Sequence, residues 1–179
     1  LIVGGGLAGC FLAMESVKAG HGVTMVDVPN PKAASRVAAG LYNVVTGRVF
    51  HARKPRPVAD QPVVVVLPQW NADAGGHVGL CQLFATFNIS SLRLSMPYHD
   101  VRRPAELERA DFIVSPNIGR TLHANRQAVL DVKRAVSWLH DQGYRRIGIV
   151  GTSLGSCLAM ISMAHDTRIR TGAFNHIST

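Results

Sequence analysis

The chain contains little cysteine. Its 179 residues include three, Cys10, Cys81 and Cys157, which lie far apart and form no CxxC pair. An odd and widely spaced set of this kind does not describe a disulfide framework. Because proteins without disulfides are typical of reducing compartments, we expect a cytoplasmic protein.

Long apolar runs are also absent. The longest ones, such as residues 63–67 and 147–150, are far shorter than the roughly 18 residues that a membrane-spanning helix needs. No membrane association is therefore expected. The chain does not open with a charged segment followed by an apolar one, as a signal peptide would. Leu1 begins inside a strand-like run, so we expect an amino terminus that is cut rather than processed.

Acidic and aromatic residues are scarce. The chain has 11 acidic against 19 basic residues, a net charge of +8, and only 6% aromatic residues. A nucleic-acid-binding protein usually has a basic face with interleaved aromatic residues or a known reading motif, and neither is present. No nucleic-acid partner is expected. The basic excess instead predicts a solvated linker over residues 49–61, which contains Arg53, Lys54 and Arg56 and is broken by Pro55 and Pro57.

What the sequence does contain is a regular alternation of strand-like and helix-like segments, which predicts an α/β fold with a parallel sheet. The apolar runs at 63–67 and 147–150 are typical of parallel strands buried on both faces. Residues 121–142 carry apolar side chains at intervals of three and four, which indicates an amphipathic helix. Further helices are expected over 77–87 and 154–164, further strands over 90–96 and 172–177, and an irregular loop over 98–120.

The amino-terminal segment predicts a strand, a glycine turn, a helix and a second strand. Gly4, Gly6 and Gly9 satisfy GxGxxG, and Asp27 ends the second strand. In a dinucleotide-binding fingerprint the glycines let a pyrophosphate approach the backbone, and the acid accepts a ribose hydroxyl. A purely structural glycine turn is the alternative. We expect a Rossmann-like βαβ beginning over residues 1–48.

Downstream of that second strand, residues 35–40 read Ser-Arg-Val-Ala-Ala-Gly, followed by Asn43 and by Thr-Gly-Arg at 46–48. This segment resembles FAD-dependent amino-acid-oxidase-like oxidoreductases, over residues 1–48 only. The resemblance implies that Gly4, Gly6, Gly9 and Asp27 contact FAD. It makes FAD-dependent oxidation an alternative function.

A second motif, GxSxG, covers residues 151–155 between the predicted strand 147–150 and the predicted helix 154–164. This is the setting of a nucleophile elbow, in which small neighbours let the chain turn sharply and expose a serine. The helix amino terminus then favours developing negative charge. The alternative is that Ser153 only caps the helix. We interpret Ser153 as a nucleophile.

Residues 62–179 resemble the central part of an α/β-hydrolase domain protein. The stretches that carry this resemblance are Leu-Pro-Gln-Trp-Asn-Ala-Asp at 67–73, Pro-Tyr-His-Asp at 97–100, Ser-Pro-Asn-Ile-Gly-Arg at 115–120, the elbow at 151–156 and Phe-Asn-His at 174–176. The resemblance implies an incomplete hydrolase-type sheet and an esterase-like activity on small ester-like substrates, with no cofactor for this part. Oxyanion-hole donors are expected at the backbone N–H of Leu154 and that of Gln69 or Trp70. Trp70 as a packing residue is the alternative for that position.

In this fold the serine is followed along the chain by an acid and then by a histidine. On the resemblance, both are missing from this chain, so we expect a hydrolase fragment that is inactive as it stands. His99 with Asp100, or His176, could substitute as the base. A genuine fusion and a catalytically silent remnant are further alternatives, and the sequence does not fix the oligomeric state.

The remaining polar residues are given structural roles rather than chemical ones. No pair of His, Cys or carboxylate residues has metal-ligand spacing, so no metal site is expected. Asp73 is interpreted as a helix cap. A charged cluster in the irregular loop is interpreted as a solvated face, with salt bridges of a lid as the alternative. It comprises Arg102, Arg103, Glu106, Glu108 and Arg109.

Overall fold

The computed structural model describes residues 2–3, 25–26 and 46–176. Two short strands, β1 (Ile2–Val3) and β2 (Met25–Val26), pair in parallel. Parallel neighbours cannot be joined by a tight hairpin and need a crossover connection. Gly4, Gly6, Gly9 and Asp27, the candidate FAD-binding residues, lie outside the described residues.

Five further strands form one sheet in the order β3-β5-β4-β6-β7. Four of them run parallel, and the edge strand β3 is antiparallel to β5. The apolar runs of the sequence lie at the centre, where β4 and β6 pair from Pro62 opposite Arg146 to Leu67 opposite Gly151. The predicted α/β fold with a mostly parallel sheet is confirmed. The strands are β3 (Gly47–Phe50), β4 (Pro62–Leu67), β5 (Ser90–Leu94), β6 (Arg146–Thr152) and β7 (Ile169–Asn175).

The described residues also form three α-helices: α1 (Val78–Thr86), α2 (Ile118–Asp141) and α3 (Leu154–Ala164). α1 packs on β5 and β3, whereas α3 packs on β6 and β7 and α2 packs on α3 and β4. The buried stripe of α2 includes Ala128, Val132 and Leu139, which share one core with Val65 of β4 and Ile149 of β6. This packing places the carboxyl ends of β4 and β6 side by side.

The strand β3 was not predicted, and it crosses the domain boundary expected at residue 48. The next residues, expected to form a solvated linker, are hydrogen-bonded to the domain. The Ala52 N–H donates to Ser90 Oγ over 3.1 Å, and the Lys54 N–H donates to Asn88 Oδ1 over 3.0 Å. This segment therefore runs along the amino end of β5.

Two elements begin earlier than the sequence indicates. α2 begins at Ile118 rather than near residue 121, because the Asn117 side chain accepts a hydrogen bond from the Arg120 N–H and caps the helix. β7 begins at Ile169 rather than at residue 172. No helix of the described part of the chain is both long and apolar enough to cross a membrane.

The solvated-face interpretation is wrong for Arg102. This side chain is buried, and its Nη1 lies 2.7 Å from Asp131 Oδ2 on α2 and 2.8 Å from the Ser95 carbonyl oxygen. Arg102 therefore ties the irregular loop to α2. Asp73 also differs from expectation, since its carboxylate accepts the N–H groups of Gly75 and Gly76 within the loop instead of capping α1.

Candidate active site

Ser153 occupies the sharp turn between β6 and α3. Its backbone has φ 53° and ψ −119°, a conformation that costs a residue with a side chain about 1–3 kcal/mol. The side chain is exposed and makes no capping hydrogen bond to α3. The helix-capping alternative is therefore not what the structure shows, and the turn presents a hydroxyl to solvent.

Two glycines allow this turn. A Cβ on Gly151 would lie 2.2 Å from the Gly155 carbonyl oxygen. A Cβ on Gly155 would lie 2.4 Å and 2.5 Å from the carbonyl oxygens of Leu67 and Pro68. Since real Cβ atoms do not approach other atoms so closely, no side chain fits at either position. The first turn of α3 therefore packs directly on the backbone that leaves β4.

The end of β7 holds the turn from its other side. The Ser153 N–H donates to the Asn175 carbonyl oxygen over 2.8 Å. The buried Ser156 hydroxyl lies 2.7 Å from the Gly151 carbonyl oxygen and 2.5 Å from that of Asn175, and donates to one of them at a time. The backbone around Ser153 is thus fixed by β6, α3 and β7 together.

The candidate oxyanion donors lie on the two segments that meet at Gly155. Leu154 begins α3, and the first N–H groups of a helix have no partner within it. Gln69 and Trp70 directly follow Pro68, whose carbonyl oxygen abuts Gly155. Leu154 and the pair Gln69 and Trp70 therefore lie at the carboxyl edge of the sheet, where open α/β sheets place their sites.

The Trp70 side chain also has a packing role. Its indole N–H donates to the Ala110 carbonyl oxygen over 3.1 Å, and the Arg109 guanidinium carbon lies 4.4 Å from the ring centre. The side chain is partly buried against the hydrophobic core. These contacts involve only the side chain, so they are compatible with an oxyanion role for the backbone N–H of Trp70.

A buried histidine shapes the loop after β4. His99 Nε2 accepts the Asn71 N–H over 2.9 Å, and Nδ1 lies 2.9 Å from the Pro97 carbonyl oxygen. Because Nε2 acts as acceptor, Nδ1 carries the proton and donates. Burial lowers the pKa of His99, and the hydrogen bond to Pro97 opposes this shift without reversing it. The ring is therefore neutral, with its Nε2 lone pair committed to the backbone of Asn71.

Arg93 fixes the same loop further along. It is the next-to-last residue of β5 and is 1% exposed. Its Nε donates to the Gly76 carbonyl oxygen over 3.0 Å and its Nη2 to that of Asp73 over 2.5 Å. Asp100 forms an ion pair with Arg93 and accepts a hydrogen bond from the Ser95 hydroxyl over 2.9 Å. The buried guanidinium group of Arg93 therefore holds the backbone of the loop after β4.

These contacts determine which of the predicted substitute bases could accept the proton of Ser153. Both ring nitrogens of His99 are engaged, so this histidine offers no free lone pair to Ser153. Asp100 binds Arg93 and Ser95 through Oδ2, and its Oδ1 is buried without a hydrogen-bond partner among the described residues. His176 is exposed and directly follows Asn175, the residue whose carbonyl accepts the Ser153 N–H. Of the two candidates, His176 is the one at the elbow with an accessible ring.

The described residues contain no group of three or more His, Cys, Asp or Glu side chains able to hold a metal ion. Cys81 is buried, and Cys157 lies in α3 and is partly buried.

Comparison with solved structures identifies the architecture. An acetyl xylan esterase from Paenibacillus sp. R4 matches with a TM-score of 0.58 and 16% sequence identity, over 72% of this chain and 43% of its own. The α/β hydrolase GrgF from Penicillium sp. sh18 matches with a TM-score of 0.55 and 16% identity, over 72% and 39%. The chain has an α/β-hydrolase fold.

A ferulic acid esterase from Streptomyces cinnamoneus agrees, with a TM-score of 0.52 and 22% identity over 65% of this chain and 36% of its own. The chain thus spans less than half the length of these solved α/β hydrolases, and its hydrolase sheet is incomplete. No protein-family model and no curated protein matches the sequence.

Sequence reasoning missed several residues that shape this α/β-hydrolase site. Arg93, Asn71 and His77 received no role, yet Arg93 and Asn71 fix the loop after β4, and His77 contacts Thr152 beside the serine. A basic residue between two leucines in the strand 90–94 was an available signal for Arg93. Asn71 and His77 have positive φ values of 58° and 66°, which a sequence does not reveal.

Proposed function

We propose that this chain carries the nucleophile half of an esterase-like serine hydrolase acting on small ester-like substrates, with Ser153 as the nucleophile. The observation that carries the proposal is the exposed Ser153 hydroxyl on a strained turn at the start of α3. The α/β-hydrolase fold supports it, because this fold presents its nucleophile at that point of the sheet.

The chemistry follows from the placement of these groups. Ser153 Oγ attacks the ester carbonyl carbon, and its proton passes to a base as the new C–O bond forms. The carbonyl oxygen becomes an oxyanion, which the N–H of Leu154 and that of Gln69 or Trp70 stabilise. The alcohol then leaves, and water hydrolyses the acyl-serine to regenerate the hydroxyl and release the acid.

The base is the limiting component of this chain. A serine without a base is a poor nucleophile, and His99 has no free lone pair. We therefore propose that the isolated chain is acylated slowly and turns over poorly or not at all. Backbone donors and substrate binding alone still give on the order of a 10³-fold advantage over water in serine hydrolases lacking their triad.

The test is the acetylation of the chain by p-nitrophenyl acetate, followed by mass spectrometry of the acetylated peptide. Acetylation should occur at Ser153 in the folded protein, vanish in Ser153→Ala, and persist in the matched control Ser115→Ala. Added imidazole should accelerate it, because imidazole supplies the missing base. Acetylation of Ser153 at the same rate in the urea-unfolded chain would contradict the proposal.

The same assay examines His176 as a substitute base. If His176 takes the proton, acetylation of Ser153 slows in His176→Ala and recovers with added imidazole, while His99→Ala leaves the rate unchanged wherever that variant folds. If the rate persists in the double variant His99→Ala, His176→Ala, neither histidine is the base.

A second candidate function, FAD-dependent oxidation, concerns residues 1–48. The parallel pairing of β1 and β2 favours it, because a dinucleotide-binding βαβ unit starts with such a pair. Gly4, Gly6, Gly9 and Asp27 would bind the flavin nucleotide, which would supply the redox chemistry. Flavin absorbance that stays with the protein through gel filtration would support this candidate, and a colourless protein after incubation with FAD would refute it.

A further inference from the structure

His77 joins the two segments that meet at the candidate active site. It precedes α1 at the end of the loop after β4, and its Nε2 lies 2.9 Å from the hydroxyl oxygen of Thr152, the residue before Ser153. Its backbone has φ 66°, a conformation that is uncommon outside glycine. The loop accordingly holds a strained residue whose ring reaches the serine-bearing turn.

The protonation state of this ring follows from its surroundings. Burial lowers the pKa of His77, and the positive charge of Arg93 lowers it further, so the ring is neutral at physiological pH. Nδ1 is buried and has no hydrogen-bond partner among the described residues. Since a buried N–H without an acceptor is rarer than an unpaired acceptor, the proton lies on Nε2 and is donated to Thr152.

This contact is distinct from the backbone packing at Gly155. Gly155 sets how closely α3 approaches Leu67 and Pro68, at the start of the loop. The hydrogen bond from His77 to Thr152 instead connects the far end of the loop with the last residue of β6. Together the two contacts fix the loop that carries Gln69 and Trp70 at both of its ends.

We propose that His77 is a positioning residue of the active site: by bonding Thr152 it keeps the loop after β4 in register with the nucleophile turn, so that the candidate oxyanion donors converge. This role rests on the proposed function of Ser153. His77 acts through Thr152 and the loop, and it takes no proton from the serine.

The test measures covalent labelling of Ser153 by a fluorophosphonate across a range of reagent concentrations. Thr152→Val removes the hydroxyl with little change of volume and should lower the maximal labelling rate roughly five- to tenfold, the size of one ordinary hydrogen bond. The reagent concentration for half-maximal rate should stay constant. His77→Ala should do the same, Thr152→Ser should restore the rate, and the exposed control His51→Ala should have no effect.

The double variant His77→Ala, Thr152→Val provides the decisive comparison. If the two residues act through one hydrogen bond, the double variant labels no more slowly than either single variant. Independent, multiplying losses would overturn the proposal, and so would a Thr152→Val protein that melts like the parent and labels at its rate. If the parent chain shows no selective labelling of Ser153, the proposed function fails first and this inference fails with it.

A spectroscopic measurement tests the hydrogen bond between His77 and Thr152 independently of the labelling rate of Ser153. Nitrogen NMR of the His77 ring should show a neutral imidazole protonated at Nε2, and Thr152→Val should shift that resonance while His51→Ala leaves it in place. A ring protonated at Nδ1 would reverse the direction of this hydrogen bond. A His77 resonance that does not move in Thr152→Val would overturn the assigned contact whatever the labelling rates are.

Discussion

At the scale of single residues, the nucleophile turn depends on the absence of a side chain at Gly155. Gly155→Ala places a Cβ against two backbone carbonyl oxygens, neither of which can rotate away. We expect a loss of about 1–3 kcal/mol in the free energy of unfolding, the usual range for overpacking, together with loss of Ser153 labelling.

Gly79→Ala is the matched control for that substitution. Gly79 also lies near the start of a helix, but a Cβ there meets nothing within 4 Å. Alanine is the better helix former, so this variant should gain about 0.5–1 kcal/mol. Urea unfolding of both variants measures the contrast, and equal stabilities would contradict the packing described for the elbow.

A second residue-scale prediction concerns pH. Burial lowers the pKa of His99 below its ordinary 6.5, so the unfolded chain takes up a proton at a pH where the folded chain does not. Stability should therefore fall as the pH drops below about 6.5, and the fall should end once the pH passes below the folded-state pKa. His77, whose pKa burial also lowers, contributes in the same direction.

Urea unfolding at pH 7.5 and pH 5.5 measures this dependence. In His99→Gln the loss between the two pH values should be smaller than in the parent chain, with the His77 part remaining. Asp166, whose pKa the hydrogen bond from Arg168 lowers below 3.8, loses its stabilising contribution only as the pH falls below that value. An unchanged pH dependence in His99→Gln would contradict the neutral, buried state of His99.

How far the sequence predicts single residues depends on whether their role is local. The sharp turn at Ser153 could be predicted because the motif, the strand and the helix that define it are contiguous. Arg93 and His99 act on a loop at least seventeen residues away in the chain, through Gly76 and Asn71. Such contacts arise only when the sheet brings β4 and β5 together.

At the scale of elements, the buried pair of Arg102 and Asp131 connects the irregular loop to α2. Both side chains are at most 4% exposed, and Gln127 also donates to Asp131 over 2.7 Å. Asp131→Ala removes the carboxylate that neutralises the buried Arg102 charge, and breaking a buried ion pair in this way typically costs about 3–5 kcal/mol. Chemical denaturation of the variant measures this loss.

Asp111→Ala provides the control for that variant. Asp111 pairs with Arg109 at 4.0 Å, and both side chains are 54% exposed. An exposed pair contributes at most about 1 kcal/mol, so this substitution should leave the unfolding transition nearly unchanged. A loss as large as that of Asp131→Ala would show that burial does not determine how much these two ion pairs contribute to the free energy of unfolding.

The elements that the sequence predicted well are the buried ones. β4 and the central part of β6 have nearly uniform apolar composition because neighbouring strands and helices cover them. β3 was missed because its short sequence Gly-Arg-Val-Phe lies at the edge of the sheet and is mostly exposed. β3 forms a strand because it pairs antiparallel with β5. The hydrophobic pattern of the sequence does not indicate that pairing.

At the scale of the whole molecule, the turn at Ser153 is assembled although the chain spans less than half the length of the three solved α/β hydrolases described above. β6, α3, β7 and the backbone leaving β4 supply every contact described around Ser153. We therefore expect the turn to make Ser153 chemically distinct from the other serines of the chain.

Peptide mapping after fluorophosphonate treatment of the folded chain tests that claim most directly. The account predicts a phosphonyl group on Ser153 alone, formed faster than on any serine of the urea-unfolded chain and absent from Ser153→Ala. A folded chain labelled at several serines equally, or not at Ser153, would contradict it.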